Sequence, residues 1–178
     1  DKSVPDPTVI RANDGYFYLY ATQTSTYWMP IYRSKDLVNW EYQKTAFTQD
    51  TKPSLSGGGA FWAPEMTYIN GKYVLYFSWA KMNGADVSYT AVAVSDSPLG
   101  PFPNSKALIT NEEFGSNVID QFYYEENGKK YMFFGSFKGI YVTELTDDGL
   151  SVKRDVDGMP VLKKQVCGNA FEGTNIYK

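Results

Sequence analysis

Similar segments recur along the chain at a spacing of 57 residues, and this repeat is the feature that most constrains the fold. Each segment consists of a short strand-like run, a turn containing Asn and Gly, and a second run rich in aromatic residues. The turn asparagines are Asn13, Asn70 and Asn127. Seven residues before each of them is a position that we call the start position, and it holds Asp6, Ala63 and Asp120. A fourth segment begins at Glu172, 52 residues after the third start position.

The repeat predicts an all-β fold built from hairpins. An Asn-Gly turn between two alternating runs is a strong hairpin signal. A β-rich unit of about 55 residues fits a four-stranded propeller blade better than a helical repeat, which has a shorter period. We therefore predict that residues 1–178 form the N-terminal part of a single β-propeller domain, with blades starting near residues 6, 63, 120 and 172. The alternative is a β-sandwich with similar hairpins, although a common spacing is not expected of sandwich strands.

Composition narrows the classes of function. The net charge is −3 and the basic residues are scattered, so the chain lacks the basic stripe of a nucleic-acid-binding protein. No apolar run approaches the roughly 20 residues of a membrane span, and residues 1–5 lack a signal-peptide pattern. The chain has no histidine and a single cysteine, Cys167, which excludes an internal disulfide and any metal-ligand spacing. Acid–base chemistry would therefore depend on carboxylates, tyrosine, lysine or the thiol.

Three of the four segments begin with an acidic residue: Asp6, Asp120 and Glu172. The first strand of each propeller blade lies nearest the central channel, so these residues are predicted to converge on one axis. Bringing like charges together in apolar surroundings raises at least one pKa, which is typical of an active site. Taken singly, each acid could start a turn, cap a loop or face solvent. Their shared spacing favours a catalytic centre, and paired carboxylates are what glycoside hydrolysis requires.

Five short motifs extend over most of the chain. They are residues 4–7 (VPDP), 34–40 (SKDLVNW), 61–65 (FWAPE), 95–102 (SDSPLGPF) and 117–120 (NVID). Together they resemble glycoside hydrolase family 43, whose members are five-bladed β-propellers. The resemblance implies that C-terminal blades missing from residues 1–178 complete the fold. Gln121 and Thr174 stand where the family more often has proline, and these departures bear on the subfamily more than on the chemistry.

The resemblance also implies a role for each acid. Asp6 would be the general base, Glu172 the general acid, and Asp120 the residue that raises the pKa of the acid and orients it. Hydrolysis would then proceed with inversion, for which the acid and base carboxyls lie roughly 6.5–9.5 Å apart. No cofactor is required for this chemistry. Some members of the family hold a structural metal ion near the propeller axis through a histidine, which here would lie beyond Lys178.

Aromatic side chains near the channel are candidates for contact with the apolar faces of sugar rings. They are Phe61, Trp62, Trp79 and Phe137, and the alternative is that they pack between blades. Asn117 and the Gly135-Ser136-Phe137 segment resemble the arabinan-active branch of the family, which implies that Asn117 and Ser136 face the sugar. The resemblance thus favours α-L-arabinofuranosyl linkages, in arabinan or arabinoxylan, with β-xylosyl linkages as the alternative.

Two rival functions remain compatible with the sequence. One is a noncatalytic propeller that binds carbohydrate or protein, which gives no reason for acidic residues to converge on the axis. The other is a phosphorylase or retaining enzyme on a similar scaffold, and retention would place the two carboxyls only about 5–5.5 Å apart. For the glycoside hydrolase the expected partner is an oligo- or polysaccharide substrate, with no nucleic acid and no membrane insertion. A secreted or periplasmic location is implied by the resemblance alone.

Overall fold

Three four-stranded antiparallel sheets make up the described part of the chain. A computed structural model describes residues 3–56, 59–81, 87–115 and 117–177. In each sheet the strands follow one another in sequence order, so every connection within a sheet is a hairpin. The prediction of an all-β fold built from hairpins is confirmed. Within the described residues, no helix is long and apolar enough to cross a membrane.

The first sheet turns at the first predicted Asn-containing turn. Gly15 has a φ of 85°, a left-handed conformation that glycine adopts without strain. The backbone N–H of Ala12 donates to the carbonyl of Tyr16 at 2.8 Å and closes the turn. The strands of this sheet are β1 (Thr8–Arg11), β2 (Phe17–Tyr20), β3 (Pro30–Ser34) and β4 (Glu41–Thr45).

The second sheet has the longest strands. Its first hairpin turns at Asn70 and Gly71, whose φ values are 50° and 83°. Two left-handed residues in succession are what a tight hairpin turn requires, and Asn-Gly meets this need at low cost. The strands are β5 (Ala60–Ile69), β6 (Lys72–Ala80), β7 (Ser88–Ser95) and β8 (Lys106–Thr110).

The third sheet repeats the same hairpin at Asn127 and Gly128, with φ values of 53° and 74°. A short helix, α1 (Asn111–Phe114), connects the second and third sheets. The fourth segment, residues 172–177, contains no strand in the part of the chain that is described. The strands of the third sheet are β9 (Phe122–Glu126), β10 (Lys129–Phe134), β11 (Ile140–Leu145) and β12 (Lys164–Cys167).

Two hydrophobic cores hold the three sheets against one another. The core between the first and second sheets is aromatic, with the rings of Phe47 and Phe61 stacked at 4.6 Å. The core between the second and third sheets is built around Tyr76, Met132 and Phe134, none of which is exposed. As a result, the first strand of the second sheet, β5, contacts both β1 and β9. The three inner strands therefore lie side by side, as blades around a common axis require.

Two of the aromatic residues predicted to contact sugar lie in the first core. Phe61 is 1% exposed and Trp79 is 3% exposed, and their rings meet edge to face at 5.0 Å. The prediction of sugar contact is therefore corrected for both residues, and the alternative of packing between blades is what the structure shows. The physical reason is strand alternation, because neighbouring residues of β5 point to opposite faces of the sheet. Phe61 points into the core, whereas Trp62 is partly exposed.

Candidate active site

A cavity of about 760 Å³ opens where the inner strands of the three sheets meet. All three acids predicted for the catalytic centre line it, as do Trp62 and the start position of the second segment. The structure thus brings the beginnings of all four segments to one place. The lining consists of residues 6–9, Thr22, and residues 62–66, 119–122 and 172–175.

The three start positions share an unusual backbone conformation. Asp6, Ala63 and Asp120 have φ values of 49°, 43° and 56°, in the left-handed region that residues other than glycine seldom adopt. The same conformation at a constant spacing shows that the three positions are structurally equivalent. In the fourth segment the positive φ, 65°, falls on Gly173. Glu172 therefore lies one residue before the equivalent position, a shift that the sequence spacing did not predict.

Asp6 lies on the exposed rim of the cavity and is held by a threonine from the neighbouring strand. The Oγ1 of Thr22, two residues beyond β2, donates to Oδ2 of Asp6 at 2.6 Å. The backbone N–H of Thr22 donates to the carbonyl of Pro5 at 3.0 Å, which fixes the threonine beside the acid. The same Oγ1 accepts the backbone N–H of Ala63 at 2.7 Å. A single hydroxyl thus links Asp6 to the inner strand of the second sheet.

Asp120 lies deeper in the cavity than Asp6. Its pKa is raised to about 6, mainly by burial and to a smaller extent by the negative charges of Glu172 and Asp6. A carboxyl with this pKa exchanges its proton at mildly acidic pH. Glu172 and Asp6 are therefore close enough to act electrostatically on Asp120, which agrees with the convergence expected from their spacing.

The backbone of Asp120 is fixed by a chain of buried polar groups. Its N–H donates to Oγ of Ser78 at 3.0 Å, and that hydroxyl donates to Oε1 of Gln121 at 3.0 Å. The Nε2 of Gln121 donates in turn to the carbonyl of Ala63. Gln121, noted in the sequence as a departure from the family pattern, thus bridges the inner strands of the second and third sheets. Sequence reasoning missed Ser78 and Thr22 because lone hydroxyls on aromatic strands give no signal of their own.

Glu172 accepts a hydrogen bond from the Oγ of Ser136 at 2.8 Å. The Nδ2 of Asn117 donates to the backbone carbonyl of Ser136 at 2.8 Å. Of the two polar residues predicted to face the sugar, Ser136 therefore contacts the acid directly and is 4% exposed, whereas Asn117 contacts the backbone of Ser136. Phe137, another predicted sugar contact, is 58% exposed, and its N–H donates to the carbonyl of Phe171 at 3.0 Å. That contact joins the Ser136 segment to the segment that carries Glu172.

A fourth carboxyl, Glu65, lines the cavity and was not singled out from the sequence as a site residue. Its Oε2 accepts a hydrogen bond from Oγ1 of Thr8 at 3.0 Å. Burial raises its pKa to about 7, against the opposing effects of hydrogen bonds from Thr8 and from the backbone of Tyr123. The available signal was position, because Glu65 lies two residues after Ala63 and side chains two apart on a strand share a face.

Among the described residues, no three His, Cys, Asp or Glu side chains are grouped so that they could hold a metal ion. The site consists instead of carboxyls, hydroxyls and one partly exposed indole around an open cavity. Carboxyls whose environments differ in burial can serve separately as proton donor and proton acceptor. The geometry is therefore suited to acid–base chemistry on a neutral, polar ligand.

Comparison with known proteins agrees with this geometry. The family model described as "Glycosyl hydrolases family 43" matches residues 1–178. An extracellular endo-α-(1→5)-L-arabinanase of Bacillus subtilis is 30% identical over 150 residues, which are 79% of this chain and 46% of the relative. A xylan 1,3-β-xylosidase of a Vibrio species is 30% identical over 138 residues, which are 72% of this chain and 24% of the relative.

The fold is also found among solved structures. The α-L-arabinanase of Cellvibrio cellulosa, solved in complex with arabinohexaose, superposes with a TM-score of 0.66 at 29% sequence identity. The match covers 83% of this chain and 50% of that structure. The predicted five-bladed β-propeller fold is thereby confirmed, with the three sheets as three of its blades. The chain spans half or less of the length of each of these three proteins.

Proposed function

Because the chain belongs to glycosyl hydrolase family 43, we propose that the protein is an inverting glycoside hydrolase that acts on plant cell-wall polysaccharide. The observation that carries this proposal is the cavity in which Asp6, Asp120 and Glu172 meet. A noncatalytic binding site gains nothing from bringing together carboxylates, because their negative charges repel one another. Burial in this cavity raises the pKa of Asp120 to about 6, and the charges of Glu172 and Asp6 contribute to that rise.

In the proposed reaction Glu172 donates its proton to the glycosidic oxygen, and the bond from that oxygen to the anomeric carbon breaks. Asp6 takes a proton from a water molecule, whose oxygen bonds to the anomeric carbon from the opposite face. Each turnover consumes one water, and the proton gained by Asp6 replaces the one lost by Glu172 through solvent. Asp120 lines the same cavity as Glu172 and Asp6, and we assign it the role of orienting the acid.

For the substrate we propose α-L-arabinofuranosyl linkages, as in arabinan or arabinoxylan. Two proteins similar to this chain are arabinanases, and one of them was solved with arabinohexaose. The hydrogen bond from Ser136 to Glu172, and that from Asn117 to the backbone of Ser136, support a role for both residues near the proposed acid. A β-xylosidase is the second candidate, and the similarity to the Vibrio xylosidase favours it.

The same relatives also support proposals about the location of the enzyme and about the blades that complete its fold. A secreted or periplasmic location is supported by the name of the Bacillus relative, which is extracellular. We also propose that further blades complete the ring, since the chain covers about half of the solved arabinanase. The residues present would not hold a structural metal ion by themselves, so any ion at the axis would need ligands from those blades.

The test is product analysis with the full-length protein that carries residues 1–178. Linear arabinan, branched arabinan and xylan are incubated separately, and the released sugars are identified by chromatography. The proposal predicts arabinose or arabino-oligosaccharides, whereas release of xylose alone would move the assignment to the β-xylosidase. Asp6→Ala and Glu172→Ala variants control for a contaminating enzyme, and full activity in both would contradict the catalytic assignment.

A further inference from the structure

We infer that Thr22 is a positioning residue that determines which oxygen of Asp6 acts as the base. The inference rests on the proposed function, because it concerns how the proposed base is held. It starts from one hydroxyl with two partners: Oγ1 of Thr22 is 2.6 Å from Oδ2 of Asp6 and 2.7 Å from the backbone nitrogen of Ala63.

The two hydrogen bonds determine the direction of the hydroxyl. The backbone N–H of Ala63 can only donate, so Oγ1 accepts there. The hydroxyl has one hydrogen, and the remaining partner is the carboxylate of Asp6, which accepts when ionised. Thr22 therefore donates to Oδ2 of Asp6. The third contact, from the N–H of Thr22 to the carbonyl of Pro5 at 3.0 Å, prevents the threonine from moving away from the acid.

This arrangement makes the two carboxylate oxygens of Asp6 inequivalent. Oδ2 is committed to a short, charge-assisted hydrogen bond, which lowers its basicity. Oδ1 accepts no hydrogen bond from the residues that the structure describes. In the proposed reaction Oδ1 is then the oxygen that receives the proton from water, and Thr22 holds the carboxylate plane so that Oδ1 faces the cavity.

The residues equivalent to Thr22 in the other two sheets do not donate a hydrogen bond to a start-position carboxylate. Ser78 is the equivalent residue of the second sheet. It pairs with Trp62, the residue before the start position Ala63, as Thr22 bonds to Pro5, the residue before Asp6. Its hydroxyl also accepts the N–H of the next start position, but it donates to Gln121 and not to Asp120.

In the third sheet the equivalent residue is Gly135, whose N–H donates to the carbonyl of Ile119 at 2.9 Å. A Cβ there would lie 2.1 Å from the carbonyl oxygen of Gly139, so no side chain can occupy the position without a shift of the backbone. Among these three equivalent positions, only Thr22 donates a hydrogen bond to the carboxylate of a start position.

The test compares Thr22→Val, which keeps the shape but removes the hydroxyl, with Thr22→Ser, which keeps the hydroxyl. The full-length protein is assayed on linear arabinan for kcat and KM, because a residue that positions the base should change kcat far more than KM. Thr24→Val is the matched control, since the Thr24 hydroxyl accepts only from the backbone of Thr26 and Tyr27 in the described chain.

We expect Thr22→Val to lower kcat about 10- to 100-fold, the effect of losing one hydrogen bond to a charged group, with a much smaller change in KM. Thr22→Ser restores kcat, and Thr24→Val leaves both kcat and KM unchanged.

Unchanged kcat in Thr22→Val would overturn the inference, as would a Thr22→Ser variant impaired to the same degree. If Thr22→Val does not fold, Thr22→Ala is measured against Thr22→Ser by the same criteria. Failure of the proposed function is recognised separately, because the unaltered protein would then release no sugar or Asp6→Ala would be fully active.

Discussion

Asp6 and Asp120 occupy equivalent positions in the first and third sheets, and the comparison shows how a repeat produces two different acids. Their backbones agree, with φ values of 49° and 56°. Their surroundings do not. Asp6 is exposed and its carboxylate accepts a hydrogen bond from the Thr22 hydroxyl, whereas Asp120 is more buried and its backbone N–H donates a hydrogen bond to the Ser78 hydroxyl. The repeated backbone fixes where each acid lies, and the neighbouring strand determines its chemistry.

The difference has a functional meaning under the proposed mechanism. A base must be accessible to water and free to accept a proton, and the exposed rim suits Asp6 to that task. Asp120 has a pKa raised to about 6 by burial and by the charges of Glu172 and Asp6. Its carboxylate is therefore placed to act through its charge on a neighbouring acid.

The largest expected difference between Asp6 and Asp120 is in their effect on the catalytic rate. Asp6→Ala should lower kcat by about 10²- to 10⁴-fold, the usual contribution of a general base. The melting temperature should change little, since the side chain of Asp6 is exposed. Asp120→Ala should lower kcat less than Asp6→Ala does, because Asp120 acts through its charge. Steady-state kinetics on linear arabinan, paired with thermal unfolding, would measure both, and a larger kcat loss in Asp120→Ala would reverse the assigned roles.

The next largest effect is on stability, and it concerns the two aromatic residues before Ala63 in the second sheet. Phe61 is buried, whereas Trp62 lines the cavity. Phe61→Ala removes a fully buried ring that stacks on Phe47, and it should lower the free energy of unfolding by about 3–5 kcal/mol. Trp62→Ala should leave stability nearly unchanged and raise KM, since Trp62 lines the cavity. Chemical denaturation and kinetics separate the two, and equal destabilisation by both would contradict the opposed orientation of these neighbours.

A third effect concerns the dependence of stability on pH. The pKa of Glu65 is raised by burial to about 7 in the folded protein, from an ordinary value of 4.5. The folded state therefore binds more protons than the unfolded state between these two values, so stability should fall as pH rises from about 4.5 to about 7. Glu65→Gln should remove up to about 3 kcal/mol of this fall. Denaturation curves at pH 4.5 and pH 8 would show it, and an unaltered pH dependence in the variant would contradict burial of the carboxyl.

The smallest expected effect is the contribution of Asp120 to the pH dependence of stability. Its pKa is raised from 3.8 to about 6, so its ionisation also lowers stability as pH rises through that interval. Asp120→Asn should therefore be more stable than the unaltered protein at pH 8 by about 1–2 kcal/mol, after allowance for partial solvent screening, and no more stable at pH 3.5. Asp50→Asn, at an exposed residue outside the cavity lining, controls for the change in net charge. A gain of equal size in that control would show that burial of Asp120 is not the cause.

Much of the architecture could be predicted from the sequence because it depends on local turn chemistry. Asn70-Gly71 and Asn127-Gly128 meet the need of a tight turn for two left-handed residues, so the hairpins and their spacing could be inferred directly. The acids could be found for the same reason, since equivalent positions in a repeat occupy equivalent places. The one-residue offset of Glu172 could not, because no turn asparagine follows it to fix the register.

The side-chain environment could not be predicted, because it depends on contacts between sheets. Phe61 and Trp62 are adjacent aromatics, and only the packing of the first sheet against the second decides which one is buried. The hydroxyls of Thr22 and Ser78 act on residues 41 and 42 positions further along the chain. The cavity position of Glu65 was recoverable by counting two residues from Ala63, but the raised pKa required the burial that the structure shows.

Whether Asp6 activates a water molecule opposite the leaving group is shown by the configuration of the first product. Proton NMR can follow the anomeric signals of the newly released reducing end during the first turnovers of the full-length protein on linear arabinan, before mutarotation. The account predicts that the β-anomer appears first from α-linked arabinofuranosides, which is inversion. Initial release of the α-anomer would mean retention through a covalent intermediate, and it would contradict the assignment of Asp6 as a general base.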